Sequence, residues 1–190
     1  MTELYLVRHG ETEWSASGRH TSVTDLDLTD RGVQQAVALR GHLDPGDFAV
    51  VVSSPRLRAR RTAELAGFDP ASVQIDDDLA EWSYGDYEGR TGDDIRAERS
   101  GWTIWTGTPP GGETAEQVTT RVARVTERAM RSGQDRVIFF AHGHILRALA
   151  LTWLGLDYAL GDHFPLETGT VSVLGPYKDG PGLLRWNSRP

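Results

Sequence analysis

The chain has 190 residues, of which 38% are hydrophobic and 25% charged, with a formal net charge of −7 and no cysteine. These values predict one globular domain, residues 1–190, with a core of its own. They exclude a disordered chain, a disulfide scaffold, thiolate metal sites and a cysteine nucleophile. The acidic balance argues against nucleic acid or an anionic membrane as main partner, and no apolar run nears the ~20 residues of a membrane span.

The first residues, Met1-Thr2-Glu3-Leu4-Tyr5, carry no basic stretch, so no signal peptide is expected and the expected setting is cytoplasmic. Leu4-Tyr5-Leu6-Val7 reads as a buried strand that stops at Arg8-His9-Gly10. Thr29 is placed to cap a helix with apolar positions Val33, Ala36, Val37 and Leu43. Phe48-Ala49-Val50-Val51-Val52 reads as a second buried strand, stopping at Ser53-Ser54, and Pro55 is assigned the first position of the next helix, which runs to about residue 66. After a turn-rich middle, Thr114-Ala115-Glu116-Gln117 fits a capping box before a helix reaching about residue 131. Val137-Ile138-Phe139-Phe140-Ala141 is a third buried strand, ending at His142-Gly143-His144. A helix over 145–154 follows, stopped by Gly155. Residues 170–174 and 183–186 read as late strands at a sheet edge.

Strands alternating with helices predict an α/β fold with a mostly parallel sheet, whose ligands bind beyond the carboxyl ends of the strands. Three apolar strands end in polar loops, so Arg8-His9, Ser53-Ser54 and His142-Gly143-His144 converge. Arg8 supplies fixed charge beside His9, and Gly10 permits close backbone approach; the plainer reading is a surface arginine and a hydrogen-bonded histidine. Arg56, Arg58, Arg60 and Arg61 share one helix and cannot all face one way; Arg58 is assigned to the cleft and Arg60 and Arg61 to solvent. All but one of the twenty basic residues are arginine, the exception being Lys178, and no Gly-Lys-Ser/Thr exists for a P-loop. Phosphate binding must then rest on arginine.

His142 and His144 are too few ligands for zinc, and nothing relates them to Asp76-Asp77-Asp78, so no metal and no cofactor is expected. A second histidine there suits a hydrogen bond to an anionic oxygen, and the backbone from Gly143, opening a helix, points amides at an anion. Glu81, amid Leu79, Trp82 and Tyr84, has an apolar setting that suits a general acid; Glu88 competes for that role, and physics alone leaves the two open. Trp82, Tyr84, Trp102 and Trp105 are candidates either for walls around a leaving group or for core.

Leu6-Val7-Arg8-His9-Gly10-Glu11-Thr12 resembles the opening signature of the histidine phosphatase superfamily, also called phosphoglycerate mutase-like. The resemblance continues, in the family's order, through Ser54-Pro55-Arg56-Leu57-Arg58-Ala59-Arg60-Arg61-Thr62-Ala63. It takes in Glu81-Trp82-Ser83-Tyr84-Gly85-Asp86-Tyr87-Glu88-Gly89 and Pro110-Gly111-Gly112-Glu113-Thr114, and it closes on Ala141-His142-Gly143-His144. It points to the small phosphatases, among them the sedoheptulose-bisphosphatase-like and acid phosphatase branches. It implies a three-layer α/β/α sandwich.

By that resemblance His9 is the nucleophile, Glu81 the proton donor, and Arg8, Arg58 and a protonated His142 form the phosphate pocket. Ser15 stands where mutases carry an asparagine, and Thr21 and Ser22 where they carry Thr-Gly. These three, with Tyr84, Gly143 and His144, are the expected substrate contacts. The implied activity is hydrolysis of phosphomonoesters, sugar phosphates or bisphosphates first, through a phosphohistidine and without a metal. A mutase and a non-catalytic phosphate-binding module are the alternatives. The expected partner is a small phosphorylated metabolite, with no nucleic acid and no membrane, and a homodimer is allowed.

Overall fold

A computed structural model describes residues 2–190. In chain order its main elements are β1 (Glu3–Arg8), α1 (Glu13–Ala16), α2 (Asp30–Ala38), β2 (Val50–Ser53), α3 (Leu57–Leu65) and β3 (Gln74–Ile75). They continue with α4 (Gly92–Glu98), α5 (Ala115–Arg131), β4 (Arg136–Ala141), α6 (Gly143–Leu154), β5 (Val171–Tyr177) and β6 (Gly180–Ser188). The strands form one sheet in the order β3-β2-β4-β1-β5-β6. The first three pairings are parallel, whereas β5 lies antiparallel to β1 and β6 antiparallel to β5.

Successive side chains of a strand point to opposite faces, and here both faces are covered. Leu4 and Leu6 of β1 with Val137 and Phe139 of β4 pack against Val118 and Val122 of α5 and Leu146 and Leu149 of α6. Val7, Ile138 and Phe140 pack on the other side against Ala63 of α3 and Leu39 just after α2. The result is the expected three-layer α/β/α sandwich, with β1 and β4 buried at its centre. Among the described residues no helix is long and apolar enough to cross a membrane.

The caps explain where the helices start. The Thr29 hydroxyl accepts the Gly32 N–H, and Thr114 forms the expected capping box with Gln117. Two boundaries differ from the expectation. Pro55 is not the first helical residue: Arg56 is the cap position of α3, and the Asp25 carboxylate accepts the Leu57 N–H at 2.8 Å. The last helix opens at Gly143 rather than residue 145, because His142 is still extended and serves as its cap position. The register also does what the site requires. Arg8 pairs with Ala141 and Ser53 with Phe140, so His9, Ser54 and His142 emerge side by side at the carboxyl edge.

Candidate active site

His9 leaves β1 with its backbone N–H donating to the Ala141 carbonyl at 3.0 Å. Its Nδ1 lies 2.6 Å from the Gly10 carbonyl. A carbonyl only accepts, so Nδ1 carries the proton and Nε2 keeps its lone pair. Burial, then the Arg58 and Arg8 guanidiniums, push the imidazole well below its ordinary pKa of 6.5 and keep it neutral. The loop behind it is seated by backbone contact: a Cβ on Gly10 would stand 2.3 Å from the Gly32 carbonyl oxygen. No side chain fits there.

Arg8 donates through Nη1 to the Leu166 carbonyl, and its Nε is enclosed without a partner among the described residues. A Cβ on Gly143 would come 3.3 Å from that guanidinium, so glycine lets α6 start against Arg8. Arg58 points inward as expected and is fully buried, while Arg60 is exposed and Arg61 pairs with Glu64 at 2.7 Å. Arg58 donates to the Thr24 and Thr21 carbonyls at 3.0 and 3.1 Å, and its Nε to His142 Nδ1 at 3.1 Å. Arg58→Ala is expected to lower kcat/KM by an amount corresponding to about 2–5 kcal/mol, the scale of an unpaired buried charge, with little change for Arg60→Ala or Arg61→Ala. Equal, mild effects in the three variants would place the phosphate on another face.

His142 corrects an expectation. A guanidinium only donates, so Nδ1 is bare and the proton sits on Nε2, which donates to Ser54 Oγ at 2.7 Å. Burial and Arg58, with His9 and Arg8 nearby, hold its pKa well below 6.5. His142 is neutral, not protonated, and the pocket's positive charge resides on the arginines.

Glu81 also sits differently from the apolar setting expected. Its carboxylate accepts the backbone N–H of the adjacent Trp82 at 2.9 Å and, from the first turn of α6, those of His144 at 3.0 Å and Ile145 at 2.8 Å. Arg121, which no sequence motif singles out, holds this segment in place. It grips Glu113 with two 2.8 Å bonds and donates to the carbonyls of Asp78, Ala80 and Glu81. Glu88 plays a different part, since its carboxylate accepts the Ser22 and Thr24 N–H groups at 2.9 and 3.0 Å and ties down the rim loop.

A cavity of about 190 Å³ brings these pieces together. Of the expected residues, Arg8, His9, Glu81, Ser15, Thr21 and Tyr84 line it, as do Gly143 and His144. Arg58, His142 and Ser22 stand one layer behind, fully or almost fully buried. Ser22 bonds the Glu81 carbonyl through its hydroxyl, at 3.1 Å, so its side chain braces the wall rather than facing a substrate. Arg19, His20 and Arg147 also line the cavity and were not assigned there from sequence. For Arg147 the signal was its position three residues after His144, which puts both on one face of a helix. Trp102 and Trp105 belong to the core, behind His20 and His144 respectively. A wider cleft of about 610 Å³ shares Arg8 and Ser15 but is lined by none of the imidazoles, and its Arg31 already pairs with Glu11. The reactive groups converge in the smaller cavity.

Four imidazoles here are held neutral by burial: His9, His142 and His144 well below 6.5, and His20 at about 4. Unfolding returns each to about 6.5, so the unfolded chain binds more protons below that pH. Their contribution is fully present above pH 6.5 and is lost as pH falls, by about 1.4 kcal/mol per pH unit for each between its two pKa values. A marked drop in the urea midpoint between pH 7 and pH 5, above the carboxylate range, is the expected result. An unchanged midpoint would contradict it.

A family model described as histidine phosphatase superfamily (branch 1) matches residues 4–189. An acid phosphatase of Mycobacterium tuberculosis is 40% identical, across 90% of this chain and 85% of its own. Sedoheptulose 1,7-bisphosphatase of Saccharomyces cerevisiae is 38% identical, across 80% and 67% respectively. A 2,3-bisphosphoglycerate-dependent phosphoglycerate mutase of Methylobacterium radiotolerans is 36% identical, across 90% and 87%. The solved structure of a functionally characterised Mycobacterium tuberculosis open reading frame superposes with a TM-score of 0.92 at 36% identity, covering 99% of this chain and 98% of that one.

Proposed function

The chain belongs to the histidine phosphatase superfamily and is a phosphatase, and we propose that it works through a phosphohistidine on His9. The observation that carries this reading is the His9 tautomer: with Nδ1–H on the Gly10 carbonyl, a neutral Nε2 lone pair remains in a cavity that also holds Glu81 and Arg8. Phosphoryl transfer asks mainly for in-line positioning and neutralised oxygen charge.

In the first step His9 Nε2 attacks phosphorus, the ester P–O bond breaks, and Glu81 gives a proton to the departing oxygen. A phosphate ester monoanion brings a proton of its own, which reaches the departing oxygen by way of the Glu81 carboxylate. In the second step Glu81 takes a proton from water, whose oxygen attacks phosphorus and releases phosphate and free His9. The Arg8 guanidinium, which lines the cavity, and the Arg58 guanidinium behind it meet the charge on the transferring oxygens. A small phosphorylated metabolite fits the cavity's size. Arg19 and Arg147 along its wall, and the sedoheptulose 1,7-bisphosphatase among the relatives, favour sugar phosphates and bisphosphates.

The mutase among the relatives defines the second reading, in which the phosphoryl group passes to another substrate hydroxyl instead of water. A panel of phosphorylated sugars, phosphoglycerates and p-nitrophenyl phosphate, assayed for inorganic phosphate and for isomerised product, separates the two. Phosphate release is expected to dominate and to survive EDTA, since arginines supply the positive charge. Isomerisation outrunning release would make the chain a mutase, and loss on chelation restored by a divalent ion would overturn the arginine account.

A further inference from the structure

Tyr84 is fully buried, and its hydroxyl has one partner among the described residues, His144 Nδ1 at 2.6 Å. Burial, together with the Glu81 charge, holds the phenol well above its ordinary range, so it keeps its proton. An enclosed O–H must place that proton on an acceptor, and the one in reach is the imidazole nitrogen. His144 therefore carries its own proton on Nε2. That nitrogen bonds no protein group among the described residues and is not enclosed, and the residue lines the cavity shared by His9 and Glu81. The charged and titratable groups facing the ring are Arg147, His20, Arg8 and Glu81, the last 3.9 Å from Nδ1 and too far for a hydrogen bond.

We propose that Tyr84 is a positioning residue: its hydroxyl fixes His144 as a neutral Nε2–H donor that reads an oxygen acceptor in the leaving group. The reading rests on the phosphatase assignment of this same cavity. The leaving group is the part addressed because the Glu81 carboxylate that protonates the departing oxygen is bonded to the His144 backbone N–H. Acid and donor thus flank one side of the substrate. A phosphorylated polyol has a hydroxyl next to its ester oxygen for this donor, while a nitrophenyl ester has none. A site built to hydrogen-bond a hydroxyl discriminates against the analogue that lacks it.

Two measurements test the role. Nitrogen-15 spectra of the imidazoles are expected to show His144 protonated at Nε2 and bare at Nδ1 at neutral pH, and Tyr84→Phe is expected to lose that preference. The phenyl ring keeps its packing on His20, 4.6 Å away. Tyr84→Phe is expected to lower kcat/KM for glycerol phosphate about tenfold, and for p-nitrophenyl phosphate only about twofold. In a His144→Gln background the added Tyr84→Phe change should cost nothing further, because an amide carries its own donors. His144 protonated at Nδ1, equal losses on the two esters, or a persisting Tyr84→Phe effect beside His144→Gln would each overturn the proposal. If the unaltered protein turned over neither ester, the phosphatase reading and the leaving-group role would fall together. Failure of the substrate contrast alone would sink only the role of Tyr84.

Discussion

His9→Ala is expected to abolish turnover, by a factor on the order of 10⁴ or more, and to remove the covalent phosphate with it. The second loss is the more telling, because many substitutions in a buried site stop catalysis. An imidazole neutral at Nε2 needs no separate base, and a phosphoryl group attached there forms a phosphoramidate that is acid-labile and alkali-stable. Brief quenching with phosphorus-labelled substrate and peptide mapping should place the label on the peptide containing His9. The competing nucleophiles are poorly placed. The Ser54 hydroxyl is engaged by His142, the Ser53 hydroxyl donates to the Ser54 carbonyl, and both nitrogens of His142 already have partners. His142→Ala should weaken turnover and leave the label. Label on His142, or an alkali-labile label on either serine, would assign the chemistry elsewhere.

Glu81→Gln should cost about 10²–10⁴-fold in kcat for esters with alkoxide leaving groups, and far less for p-nitrophenyl phosphate, whose leaving group departs without a proton. The contrast is needed because the substitution is not isosteric in hydrogen bonding. Both Glu81 oxygens accept backbone N–H groups, and the glutamine amide would turn a donor toward one of those donors. Retained activity on the aryl ester shows that the first turn of α6 has survived the change. Glu88→Gln should instead loosen the loop at Ser22 and Thr24 and weaken both substrates alike. If the leaving-group dependence appeared in Glu88→Gln and not in Glu81→Gln, the acid would be Glu88.

What was legible from sequence was whatever rests on local pattern. Continuous apolar runs marked β1, β2 and β4, which pair as far as Arg8, Ser53 and Ala141 and leave the sheet at the polar residues that follow. Thr29, Thr114 and Gly155 announced helix ends through their own hydrogen bonds or backbone angles. The errors arose where a distant partner decides. Pro55 looked like a helix start, but the α3 amides are met by Asp25 from a neighbouring loop. The two-residue strand β3 has no pattern to read, while α4 does carry a signal, the Thr91–Asp94 capping box, inside a stretch otherwise rich in turn residues. Arg58 was found from helix geometry, but the neutral state of His142 depends on which atoms meet it across the sheet edge. The same holds for Glu81: its neighbours in sequence are apolar side chains, and the amides of His144 and Ile145 reach its carboxylate from across the fold.

The pairing of β1 on both sides has a consequence for how activity fails. Its backbone is bonded to β4 along one side and to β5 along the other, in the middle of six strands. Amides of Leu4 to Val7 should therefore exchange with solvent deuterium only when the whole sheet opens, among the slowest in the molecule. His9 is two residues beyond them. On gradual warming, the edge hairpin of β5 and β6 can fray at its far end while the attacking nitrogen stays in place. Heat inactivation should then coincide with global melting instead of preceding it.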